Sequence, residues 1–116
     1  MISTIIDYTK RFNTDSKINI DLEGWDYAVV QFVSPSGAIT FKTSNDGGAI
    51  AQTIANSPTT ATNFNNVLGT NLVDGTTAVS ASASGSFRFS YIGQYLQLTG
   101  SSVTVTKLLV YLSRIS

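Results

Sequence analysis

Apolar and polar residues alternate with a period of two over most of this chain. Ile18, Ile20 and Leu22 share one side of residues 17–22, Ile39 and Phe41 one side of 38–43, Phe87, Phe89 and Tyr91 one side of 86–91, and Leu96 and Leu98 one side of 95–99. Successive side chains of a strand point to opposite faces, so each segment predicts a half-buried β-strand. Residues 27–33 and 108–112 are apolar on both faces and rich in Val, Leu and aromatics, which predicts strands covered on both sides.

Turn signals separate these segments every ten or so residues: Glu23-Gly24, Pro35-Ser36-Gly37, Asn45-Asp46-Gly47-Gly48, Ser57-Pro58, Asp74-Gly75, Ser84-Gly85, Gly93 and Gly100. Short strands at that spacing, without long amphipathic helical patterns, predict an all-β antiparallel sandwich or barrel of about eight strands. Residues 52–61 have the spacing of a helical turn, but their Thr and Asn content and Pro58 predict a loop. Residues 76–86, built from Thr, Ala, Ser and one Val, read as a flat edge strand or a loop, and a flat edge invites pairing with another chain.

The first sixteen residues break the rhythm. Ile2, Ile5, Ile6, Tyr8 and Phe12 follow no clean period, and a polar run follows to Ser16. The segment 1–16 is therefore either an edge strand closing the sandwich or an arm that docks on a neighbour, with 17–116 as the sandwich domain.

Composition narrows the function. At 116 residues the chain has room for one core. Seven basic and seven acidic side chains balance, which removes the electrostatic footprint of a nucleic-acid or anionic-membrane binder. Fifteen Ser, fifteen Thr and eight Asn solvate the surface through hydrogen bonds instead, with little charge to keep copies apart, so self-association is expected. No residue is histidine or cysteine, so the commonest general base, metal ligand and thiol nucleophile are missing and disulfides are excluded. The N-terminus lacks the basic flank, apolar run and cleavage site of a signal peptide, and the apolar run 108–112 is too short to span a bilayer.

Candidate sites are few. Asp46 lies in a turn whose Asn-Asp-Gly-Gly sequence needs no ligand, and the acidic residues Asp26 and Asp74 are too distant in sequence to suggest the six to eight oxygens of a calcium site. Trp25 and Tyr27, two residues apart, would share one side of an extended segment, as core packing, a protein anchor or a platform for a sugar ring. Lys10 and Arg11 form the one basic pair and would suit carboxylates of a host lattice, while Arg88 and Arg114 read as solvent-facing strand residues. The hydroxyls have no matched base and no nucleophile elbow, so no enzyme activity, catalytic residue, metal or cofactor is expected.

Phe41-Lys42-Thr43-Ser44-Asn45-Asp46-Gly47-Gly48 resembles the strand and S-x-D-G hairpin of galactose-binding-like jelly rolls. Asn63-Phe64-Asn65-Asn66-Val67-Leu68-Gly69-Thr70 is similar to their next strand, and Gly93-Gln94-Tyr95-Leu96-Gln97-Leu98 to their G-R-Y-x-R-L strand. Gln94 and Gln97 stand where those relatives carry arginines, which argues against a bound sugar. With its Ser, Thr, Ala and Gly filler, the whole succession resembles accessory virion proteins of tailed bacteriophages, namely capsid decoration or cement proteins and tail or fibre modules. That resemblance implies a jelly-roll-like β-sandwich made in the host cytoplasm and carried in the virion. It implies a homo-oligomer, taken as a trimer, bound to a major capsid or tail protein lattice. Ile5, Ile6, Tyr8, Lys10, Arg11 and Phe12 would bind partners, and Trp25 and Tyr27 would be a ligand or partner platform. A carbohydrate-binding adhesion module is the alternative.

Overall fold

The computed structural model describes residues 2–44, 64–90 and 95–115. In chain order the elements are β1 (Ile2–Asp7), α1 (Thr9–Asp15), β2 (Lys17–Asp21), β3 (Tyr27–Val33), β4 (Ile39–Ser44), β5 (Asn65–Asn66), β6 (Gly69–Asn71), β7 (Thr77–Ala78), β8 (Ser80–Ala81), β9 (Gly85–Ser90), β10 (Tyr95–Thr99) and β11 (Lys107–Arg114). They form a six-stranded sheet, ordered β1-β11-β3-β9-β6-β7, and a five-stranded sheet, ordered β2-β10-β4-β5 with β8 also on β4. Every described pairing is antiparallel.

The first strand lies beside the last, β2 lies beside β10, and the chain passes from sheet to sheet between β1, β2, β3 and β4 and again between β9, β10 and β11. That interleaving is the order of a jelly roll, and the expected antiparallel sandwich is the fold observed. The strands outnumber the eight expected because β5, β7 and β8 are two-residue pieces that no periodicity can announce.

The alternating apolar positions meet between the sheets. Ile18 and Ile20 from β2, Ala28, Val30 and Phe32 from β3, Phe87 and Phe89 from β9, Leu96 and Leu98 from β10, and Leu108, Val110 and Leu112 from β11 are buried in one core. At its centre Phe41 packs against Phe32 at 6.1 Å between ring centroids, Phe87 at 5.2 Å and Phe89 at 5.1 Å, the last edge-on at 82°. Gly69 leaves room for this cluster: a Cβ there would lie 2.6 Å from the Phe89 ring.

The structure departs from the sequence reading in four places. β10 is buried on both faces, Tyr95 and Gln97 included, because β2 and β4 flank it and Gln97 donates to Asn19 Oδ1 at 3.0 Å. Conversely, among the described residues the outer face of β3 and β11 is only partly covered: Val29, Leu109 and Tyr111 are half-buried and Gln31 is exposed. Residues 76–86 are neither one edge strand nor a loop but a crossing, in which β7 joins the first sheet and β8 the second. Residues 9–15 are helical, although their apolar positions carry too few turns to show a period. Arg88 and Arg114 are exposed as expected, and the Arg114 guanidinium lies 5.8 Å from the Trp25 ring. Asp46, Tyr91, the stretch 52–61 and the turn residues Gly93 and Gln94 lie outside the described residues.

Candidate interaction surfaces

The outer face of the six-stranded sheet mixes apolar and polar residues and, among the described residues, is only partly covered. One cross-strand row runs Ile5, Tyr111, Val29, Arg88 and Thr70 through β1, β11, β3, β9 and β6. The next runs Asp7, Leu109, Gln31 and Ser86. Between them Ile5, Val29, Gln31, Ser86, Leu109 and Tyr111 line a hollow of about 130 Å³. Ile5 is 67% exposed at its rim. A third row, Ser3, Ser113, Tyr27 and Ser90, contains a fully buried Ser113 whose hydroxyl finds no hydrogen-bond partner.

A second apolar feature caps the far edge of the same sheet. The hairpin between β6 and β7 holds Leu72 and Val73 in its turn, 50% and 88% exposed. The turn is firmly built: Gly75 has a positive φ of 75° and donates to the Asn71 carbonyl, Asn71 Oδ1 accepts from Val73 N–H, and Asp74 accepts from both the N–H and hydroxyl of Thr76. These bonds hold the Asp74 carboxyl below the ordinary carboxylate value, led by the Thr76 backbone N–H. Exposed aliphatic side chains on a hairpin with fixed geometry can enter a partner's pocket at little conformational cost.

The residues singled out from the sequence are distributed as follows. Ile5 faces out on β1, while Ile6 and Tyr8 are half-buried and pack on the core. Phe12 is fully buried, so it anchors α1 and offers no surface to a partner. Lys10 and Arg11 are both exposed on α1, but as consecutive helical residues they point in different directions. Lys10 lines an open groove of about 690 Å³ with Asp7, Thr9, Asn13 and Thr14. Asp7 accepts from Thr9 N–H and lies 3.8 Å from Lys107, contacts that hold its carboxyl below the usual range, the hydrogen bonds to Thr9 foremost.

Trp25 and Tyr27 do not form one platform. Trp25 follows the turn at Gly24, whose φ is 86°, and packs against the core with Arg114 over its ring. Tyr27 opens β3 on the opposite, outward face. Asp26 accepts from Ile115 N–H and Asp74 from Thr76, so both are engaged in local structure. Among the described residues no three acidic, His or Cys side chains converge as metal ligands do, and no helix is long and apolar enough to cross a membrane.

Sequence reasoning missed three polar residues that hold the N-terminal segment in place. Thr9 Oγ1 accepts from Leu108 N–H at 2.9 Å, and Asn13 exchanges two hydrogen bonds with the Val105 backbone at 2.8 and 3.0 Å. Ser16 does the same with Val103 at 2.8 and 2.7 Å. A side chain that satisfies a backbone some ninety positions away leaves no local signature.

These features define the class of the chain by fold: an antiparallel jelly roll that exposes Ile5 at one edge of its larger sheet and Leu72 and Val73 in the hairpin at the other, with Leu68, Val79 and Ile115 exposed outside the strands. The solved structure of the SPBc2 prophage-derived protein YomS is similar to it, with a TM-score of 0.60 over 96% of this chain and 91% of that one, at 14% sequence identity. No family model and no curated protein sequence matches the chain.

Proposed function

We propose that this protein is a non-catalytic structural component of a tailed-phage particle, a decoration or cement protein on the head exterior or a module of the tail, assembled as a multimer. The single observation that carries this reading is an apolar display: Ile5 at one edge of the large sheet and Leu72 and Val73 on a rigid hairpin at the other. The likeness of the fold to a prophage-derived protein supports it. Its mechanism is interfacial. Repeated weak contacts along a lattice add through avidity, so no single contact has to be strong. Trp25, already covered by the core on one side and by Arg114 on another, suits the glycan alternative less well.

Co-sedimentation of purified protein with particles of the phage or prophage that encodes it tests the proposal. The wild-type chain is expected to pellet with particles, and a Leu72→Asp, Val73→Asp double variant of unchanged fold to lose at least tenfold in apparent affinity, an effect of about 1.4 kcal/mol or more. Failure of the wild-type chain to bind heads or tails would remove the reading.

A further inference from the structure

We propose that β1 pairs with β1 of a second copy of this chain, antiparallel across a two-fold axis at Ile5, so that the two six-stranded sheets become one continuous sheet.

The open edge is the starting point. Tyr8 N–H donates to the Leu108 carbonyl at 2.8 Å, which extends the β1–β11 ladder one step past Asp7 opposite Leu109. In an antiparallel ladder, hydrogen-bonded and non-bonded pairs alternate. Ile2, Thr4 and Ile6 therefore direct their backbone groups to β11, and Ser3, Ile5 and Asp7 direct theirs away from the sheet. Among the described residues no strand receives them.

The other sheet edges carry the devices that block such pairing. β7 and β5 are two residues long, and β2 carries exposed Lys17 and Asp21 at its ends. β1 is six residues long, pairs without a bulge, contains no Pro or Lys, and carries one charge, Asp7 at its end, 3.8 Å from Lys107. Charged residues, short length, proline and bulges are what protect an edge, so β1 is the least protected one.

Self-complementarity commits the occupant to a second copy. An antiparallel two-fold centred at Ile5 sets Ile5 against Ile5 and Ser3 against Asp7 twice over, so every outward-directed backbone group from Ser3 to Asp7 gains a partner. Centring one half-step either way, at Thr4 or Ile6, leaves some of those groups unmatched. In the Ile5 register no like charges oppose, Asp7 meets a hydroxyl, and Thr4 lies beside Ile6. The exposed Ile5 then completes an unbroken row, Val29, Tyr111, Ile5, Ile5, Tyr111, Val29, across the two copies. With no net charge on the chain, nothing long-ranged opposes the approach. A two-fold contact of this kind is closed, which stops the edge from growing into a fibre.

The test uses the full chain in solution. Light scattering coupled to size exclusion is expected to give an even multiple of the 12.4 kDa chain, with the smallest species a dimer. Ile5→Pro removes an N–H that points away from β11, so it is expected to halve the mass of that smallest species while leaving the circular dichroism native. Thr4→Pro, which removes a donor inside the β1–β11 ladder, lowers the melting temperature instead. As a second measure, Ile5→Cys in this cysteine-free chain is expected to form a disulfide-linked dimer far faster than Val73→Cys. The paired Cα atoms would be ~5.5 Å apart, inside the disulfide range of about 4.4–6.8 Å.

A single-chain mass throughout, a trimer that Ile5→Pro leaves intact, or equal cross-linking at positions 5 and 73 would each overturn the pairing. The outcome is separable from particle binding. A monomer that still coats particles refutes only the pairing, and a dimer that ignores particles refutes only the virion role.

Discussion

Single residues here do structural work through space that their sequence neighbours do not announce. Ser16 sits in the left-handed region at φ 55°, buried, with its hydroxyl accepting from Val103 N–H and donating to the Val103 carbonyl. Ser16→Ala would orphan both groups and is expected to cost on the order of 1–3 kcal/mol in urea unfolding. Gly69 shows the opposite economy, an absent side chain that makes space. Gly69→Ala drives a methyl into the Phe89 ring, and overpacking of this kind is expected to lower stability by about 1–3 kcal/mol, read as a shifted denaturation midpoint with unchanged slope.

At the scale of elements, the joint from β1 to α1 is held by hydrogen bonds more than by helix propensity. α1 has seven residues, no side-chain N-cap bond and one buried residue, and so short a helix is unstable alone. Thr9 attaches it to Leu108 of β11, Asn13 and Ser16 attach it to the stretch before β11, and the Asp7 carboxylate receives Thr9 N–H at its start. Hydrogen bonds to Thr9 and to Thr76 hold the Asp7 and Asp74 carboxyls below the ordinary carboxylate value in the folded chain. Their contribution is therefore present above the unfolded carboxylate value and is lost as pH falls through the folded one. At the other end of the scale the Tyr95 hydroxyl is held above the ordinary phenol value, raised first by burial and then by Asp21 and Glu23. Its neutral form contributes fully below that value, and the contribution is lost as pH rises through the folded one. Denaturation midpoints are expected to fall at both extremes, with Asp74→Asn flattening the acid limb and Tyr95→Phe the alkaline one.

At the scale of the whole molecule, the jelly roll presents its two sheets unequally. In the five-stranded sheet, β10 is buried on both faces. In the six-stranded sheet, the outer face of β11 and β3 stays half-open, β1 is an edge that no other described strand covers, and the β6–β7 turn projects Leu72 and Val73. Ile5 and the Leu72–Val73 pair thus stand exposed at the two edges of the larger sheet.

The two-residue rhythm of Ile18 and Ile20, Phe87 and Phe89, and Leu96 and Leu98 was enough to establish an all-β sandwich, because strand geometry converts alternation directly into a buried face. The absence of His and Cys and the balanced charge narrowed the chemistry equally early. Which neighbour each strand takes was not legible, since pairing β1 with β11 joins residues more than a hundred positions apart. For the same reason the sequence could not separate Phe12, sunk in the core, from Ile5, left on the rim, or part Trp25 from Tyr27. Periodicity tells how a segment divides into two faces; only the packing of distant segments decides which of those faces is covered.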